Sequence, residues 1–220
     1  MRRRAGLALA AVVLILVSVL QGDVAAAHDP AYYFPPSHIA GLSSKWPFPA
    51  MNVSFTPSFP NSQVWRDRVQ EAHANWPGST GRPSVYFHIT SSPWSASNPC
   101  AQGDDANGVF YSSLPIGTLG RTYRCDYYQH WNFNLVFNSS YGWHVGSGDP
   151  PSDFFDLESN ATHEFGHAYG GWVLDRHFTG TTLCPSNDAR HTMCSSLPIG
   201  TSYTRTPASH DVHTMDAGYP

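Results

Sequence analysis

HEFGHAYGGWVLDRHF, residues 163–178, carries two histidines four apart, a glutamate beside the first, and Gly170 three residues after the second. On a helix, residues four apart share a face, so His163 and His167 can direct ring nitrogens at one ion, while Glu164 projects about 100° around from His163. That places two metal ligands beside a carboxylate able to reach a metal-bound water. For a chain of this composition, about 0.01 occurrences of H-E-x-x-H are expected by chance, so the motif is specific. A hydrolytic zinc site takes three protein ligands and keeps one position open for water. Two histidines therefore leave it incomplete. No glutamate follows Glu164, and the candidates for the third ligand are His177, His191, His210 and His213, or Asp175, Asp188, Asp211 and Asp216.

The flanking sequence places this motif on a helix. GSGDPPSD breaks the chain, and FDLESNATHEFGHAYG (155–170) then reads as helical, with Asp156 near its start. Upstream, MNVSFTP (51–57) and SVYFHIT (84–90) alternate apolar and polar residues as strands do, and NGVFYSS (107–113) and NFNLVFN (132–138) read as further strands. Between the first two, SQVWRDRVQEAHANW (62–76) puts Val64, Trp65, Val69, Ala72 and Trp76 near one face of a helix that must stop before Pro77. SSLPIGT occurs twice, at 112–118 and 195–201, in flanks that share little, which marks a recurring turn fragment rather than a repeat architecture.

From Asp156 to the end, the chain resembles the metzincin metalloproteases, and their matrixin-like branch in particular. There, H-E-x-x-H-x-x-G-x-x-H is followed by a Met-turn and a C-terminal helix. HEFGHAYG supplies the first part and Gly170 the glycine; HTMC (191–194) is similar to the Met-turn, with Met193 as its methionine. TRTPASHDVHTMDAGYP (204–220) resembles the closing helix, with Thr206 and Pro207 as a start signal. The family's third histidine would fall on Val173, which cannot ligate. An insertion of four residues in GGWVLDRHF brings His177 into that role, with Gly170-Gly171 making the altered path accessible; Asp175 and His191 are the alternatives.

The resemblance implies an α+β single domain: a twisted mixed β-sheet with three main helices, and an active-site cleft between this upper part and a smaller lower part. It further implies one catalytic Zn2+ on His163, His167 and His177, with Glu164 as general base and Met193 as an apolar floor. A protein or peptide substrate would lie extended along an edge strand, for which NFNLVFN is the candidate, and Ser195 to Gly200 would line the pocket beyond the scissile bond. The competing reading is a secreted zinc-binding protein of the same fold with little or no turnover, for which Val173 speaks. An aspzincin-like site is disfavoured, because neither GTTL nor GTSY supplies the G-T-x-D of that family.

The rest of the chain sets the compartment. Residues 1–27 read as a signal peptide, with Arg2–Arg4, an apolar run to Leu20 and Ala25-x-Ala27. Residues 28–45 form a Pro- and aromatic-rich N-terminal arm, and 46–220 the catalytic domain. Without the signal, nine basic residues stand against fifteen acidic ones, a net −6, and no Lys/Arg run points to nucleic acid or to a membrane surface. The expected product is a secreted, extracellular monomer with no membrane attachment after cleavage.

Export favours paired cysteines. Proximity pairs Cys100 with Cys125 and Cys184 with Cys194, and no C-x-x-C spacing suggests a thiolate metal site. Asp104, Asp105 and Asn107 offer oxygens for Ca2+, but a solvated acidic turn accounts for them as well. Sequons stand at Asn52, Asn138 and Asn160; a glycan at Asn160, one turn before His163, would crowd the site.

Overall fold

In the computed structural model, residues 50–76, 83–92, 94–102, 107–127, 130–170, 192–194, 196–208 and 212 are described. The expected signal peptide and N-terminal arm lie outside them. The alternating segments become β1 (Ala50–Phe55), β2 (Ser84–Ile89) and β3 (Asn107–Ser112), and β1 pairs in parallel with both of the others. A parallel pair needs a crossover, and α1 (Gln63–Asn75) supplies it between β1 and β2. The helix ends as the sequence requires: Trp76, ahead of Pro77, has extended backbone angles (φ −70°, ψ 123°).

β4 (Gly120–Tyr127) and β5 (His130–Asn138) complete a five-stranded mixed sheet of order β2-β1-β3-β5-β4. β5 is parallel to β3 and antiparallel to β4. The edge strand expected at 132–138 is therefore interior: it is paired on both sides and buried from Asn132 to Asn138. The edges are β2 and, beside β5, β4 (GRTYRCDY), whose charged and half-exposed residues hid it from a hydrophobic-period reading; charge is common on sheet edges. Two short strands, β6 (Trp143–His144) and β7 (Phe155–Asp156), pair in parallel just before α2 (Leu157–Gly170).

Alternation along the strands creates two layers. Val53, Phe55, Val109, Phe133, Leu135 and Phe137 join Val69, Ala72 and Trp76 of α1 and Leu157, Ala161, Phe165 and Tyr169 of α2 in one core. Both helices therefore cover the same face of the sheet. Val64 does not join them: it is 49% exposed, because the face that holds Val69, Ala72 and Trp76 lies well around the helix from it. On the opposite face, Phe110 meets Trp94 at 6.5 Å between ring centroids, and the Cys100–Cys125 disulfide joins the segment over that face to β4.

Buried asparagines tie the strands together. Asn134 accepts from Gly108 N (2.7 Å) and donates to Pro99 O (3.1 Å). Asn107 donates to Asn52 O and accepts from Phe133 N (2.9 Å each), so it is occupied in the sheet rather than offered to calcium; Asp104 and Asp105 lie outside the described residues. Asn138, fully buried, donates to Thr118 O (2.7 Å), and its sequon cannot carry a glycan in this fold. The two SSLPIGT copies share a physical cause: each places its glycine at positive φ in a turn, Gly117 at 90° and Gly200 at 73°.

Three main helices were expected; α1 and α2 are the two described. For the third, expected at the C-terminal end, the described residues include one helical hydrogen bond, Val212 N to Ala208 O (3.1 Å). No helix among the described residues is long and apolar enough to cross a membrane. The disulfide closes a sequence separation of 25 residues. Replacing Cys100 and Cys125 together by serine should therefore cost about 3 kcal/mol, read as a lowered urea midpoint.

Candidate metal centre

α2 starts where it does because Asp156 caps it: its Oδ2 accepts from Ser159 N (2.8 Å). Asp156 is fully buried, and Arg205 neutralises it with a two-pronged contact, Nε to Oδ2 (2.9 Å) and Nη2 to Oδ1 (2.6 Å). The same guanidinium donates to the carbonyls of Gly146 (2.8 Å) and Ser147 (2.6 Å). Glu158, in the first turn, receives Arg68 Nη1 (3.0 Å) and Asn75 Nδ2 (2.9 Å) from α1. Two carboxylates at the positive end of the helix, each with a cationic partner, fix α2 in place and in rotation.

The helix then presents its two histidines on the expected face. His163 is buried, and its Nδ1–H donates to Thr192 O at 2.7 Å, which leaves the lone pair on Nε2. His167 Nε2 lies 3.1 Å from that atom, with the ring planes 80° apart. A zinc ion about 2.05 Å from each nitrogen would see them about 100° apart, close to a tetrahedral angle. The pair thus fits zinc in donor type and separation, and His163 in tautomer as well. Among the described residues no third histidine, cysteine, aspartate or glutamate joins it. His177, Asp175, His191 and Cys184 lie outside the described residues.

Met193 comes up against α2 as an apolar contact. Both Met193 and Gly166 are tied to this arrangement, because a Cβ on Gly166 would stand 2.2 Å from Met193 Sδ and 2.7 Å from Trp76 Cζ2. The turn carrying Met193 is pinned on both sides: Thr192 supplies the carbonyl to His163 and donates from Oγ1 to Thr206 O (3.2 Å), and Cys194 is disulfide-bonded. Thr162 of α2 reaches the same strip of chain, donating to Arg205 O (3.1 Å).

Glu164 turns toward β4. Thr122 Oγ1 donates to its Oε2 (2.7 Å) and to its backbone oxygen (2.9 Å), while Oε1 has no partner among the described residues. Burial raises its pKa to about 7; His167, the Thr122 hydrogen bond and Arg121 act in the opposite direction and do not cancel it. A carboxyl poised near neutrality can take and release a proton.

The structure brings His163 and His167 together and sets Met193 against α2 at Gly166, while Glu164 turns toward β4. Thr122, the Thr192 carbonyl, Asp156 and Arg205 were not foreseen as parts of the site, apart from Asp156 as a helix start. Thr122 and Arg205 are 42 and 49 residues from their partners, and no local pattern marks them. No family model matches the chain, and no curated protein matches it.

Gly166→Ala should destabilise the protein by about 2 kcal/mol through overpacking against Met193. Combining it with Met193→Ala should cost less than the two single changes added together, measured as a double-mutant cycle in urea. For Glu164, the sign follows from its raised pKa. Below about pH 4.5 it is protonated whether folded or not; between 4.5 and about 7 only the unfolded chain loses the proton, so folding weakens as pH rises. Metal-free parent protein should therefore lose about 3 kcal/mol relative to Glu164→Gln between pH 4 and pH 8, read from urea unfolding of both.

Proposed function

We propose that this chain is a secreted zinc-dependent endopeptidase of metzincin-like, matrixin-like architecture, with His163, His167 and His177 as metal ligands. The observation that carries the proposal is the histidine pair: two Nε2 atoms 3.1 Å apart, one with its tautomer set by Thr192 O, on the helix that also carries Glu164. The supporting frame is a mixed sheet ending in an antiparallel edge strand, with that helix packed against it and the Met193 turn against the helix.

Zinc held there would polarise the scissile carbonyl and acidify a water. The remaining chemistry belongs to the chain. Glu164 Oε2 is held by Thr122, which leaves the Oε1 side of the carboxyl to take a proton from the attacking water and return it to the leaving amine nitrogen. β4, as the edge of the sheet beside this carboxyl, has the backbone groups to align an extended peptide by strand addition. Met193 supports the helix from the apolar side and donates no ligand.

A second reading has its own support. Glu164 is fully buried, which suits a secreted zinc-binding protein with little or no turnover.

Metal analysis and a peptide-cleavage assay on residues 28–220 separate the two readings. One zinc per chain, lost in folded His163→Ala and His177→Ala, is expected. Glu164→Gln should keep the zinc and lower kcat by about a thousandfold or more. Zinc without cleavage in the parent would select the binding protein, and a parent that takes up no zinc would overturn both.

A further inference from the structure

Asn160 stands one helical turn before Glu164 on α2, and both side chains are turned onto the same spot of β4. A Cβ added to Gly120 would lie 2.5 Å from Asn160 Oδ1 and 2.7 Å from Glu164 Oε1. Gly120 is the first residue of β4, and its missing side chain is what lets two polar groups close onto the strand. Both residues are fully buried. Among the described residues, Asn160 Nδ2, Asn160 Oδ1 and Glu164 Oε1 have no hydrogen-bond partner.

Three orphaned polar atoms in one buried place are costly to leave so, at about 1–3 kcal/mol each and more when one is charged. They are also complementary. Glu164 Oε1 is an acceptor in need of a donor, and the Asn160 amide carries two donor hydrogens in a plane that a half-turn about its last torsion reverses. Amide-to-carboxylate pairs at this helical spacing are favourable even on exposed helices. Thr122 already holds Oε2 from the sheet side.

We propose that Asn160 is a positioning residue for Glu164: its Nδ2–H donates to Glu164 Oε1, so that Thr122 and Asn160 grip the two carboxylate oxygens from opposite elements. This rests on the reading of Glu164 as the general base. Oε1 has two lone pairs; the Asn160 bond occupies one and leaves the other for the proton in transfer. The grip restricts the carboxyl to one rotamer, which lowers the reorganisation needed when the proton moves. It also assigns the buried sequon residue a role that a glycan would abolish.

The contact is read directly by NMR of the Asn160 side-chain amide in 15N-labelled full-length mature protein. One of its two protons should be displaced downfield of the usual asparagine range and protected from solvent exchange, and Glu164→Ala, which removes the acceptor, should return it to that range. In the zinc-loaded enzyme, Asn160→Leu should lower kcat about tenfold while KM and zinc content stay at the parent values, and Asn160→Ala should do the same without added bulk. An amide group that serves only as filler predicts both protons at ordinary asparagine shifts, unprotected from exchange, and a parental kcat in both variants; either result overturns the proposal. Because the NMR comparison needs no turnover, the contact is decided even for a protein that cleaves nothing. In that case the shifted proton would sustain the contact while the peptidase reading alone failed.

Discussion

One backbone carbonyl, that of Thr192, determines how His163 can act. By accepting the Nδ1 proton it makes the outward Nε2 a lone-pair donor, directed at the same point as His167. Thr192 belongs to the turn that carries Met193, and that turn is joined to the 204–206 strip through Thr206 and to a disulfide through Cys194. The strip in turn holds Arg205, whose guanidinium caps α2 through Asp156. The histidine tautomer, the seat of the helix and the path of the chain after it are therefore one connected arrangement.

The two groups of buried carboxylates on α2 illustrate opposite electrostatic outcomes. Asp156 and Glu158 are buried beside Arg205 and Arg68, which compensate them, and removing a partner from such a pair commonly costs 3–5 kcal/mol. Glu164, about two turns further along the same helix, has a threonine hydroxyl and the charges of His167 and Arg121, and desolvation wins. The first group is built to stay charged and anchor; the second is left near neutrality, where a proton can come and go. The same helix thus separates a structural end from a reactive middle.

Much of the fold was legible because period-2 and period-3.6 patterns depend on local burial. β1, β2, β3, α1 and α2 fall close to where those patterns lie. The failures share a cause. β4 has Arg121 and Arg124 on a half-exposed edge, so its pattern is weak, and β5 looked like the edge only because nothing local reports how many neighbours a strand will acquire. Asn107 and Asn138 read as loop or sequon residues, yet their amides are consumed by carbonyls and amides far along the chain.

By itself, the sequence determined that His163, Glu164 and His167 would share one region of a helix, since their spacing and the helical repeat leave no other outcome. Only the tertiary structure decided which nitrogen of His163 faces outward, that Met193 fills the space at Gly166, and that Glu164 and Asn160 converge on Gly120. Those outcomes depend on contacts between residues tens of positions apart. They arise when the sheet, the helix and the turn close on one another, and local pattern carries no record of that closure.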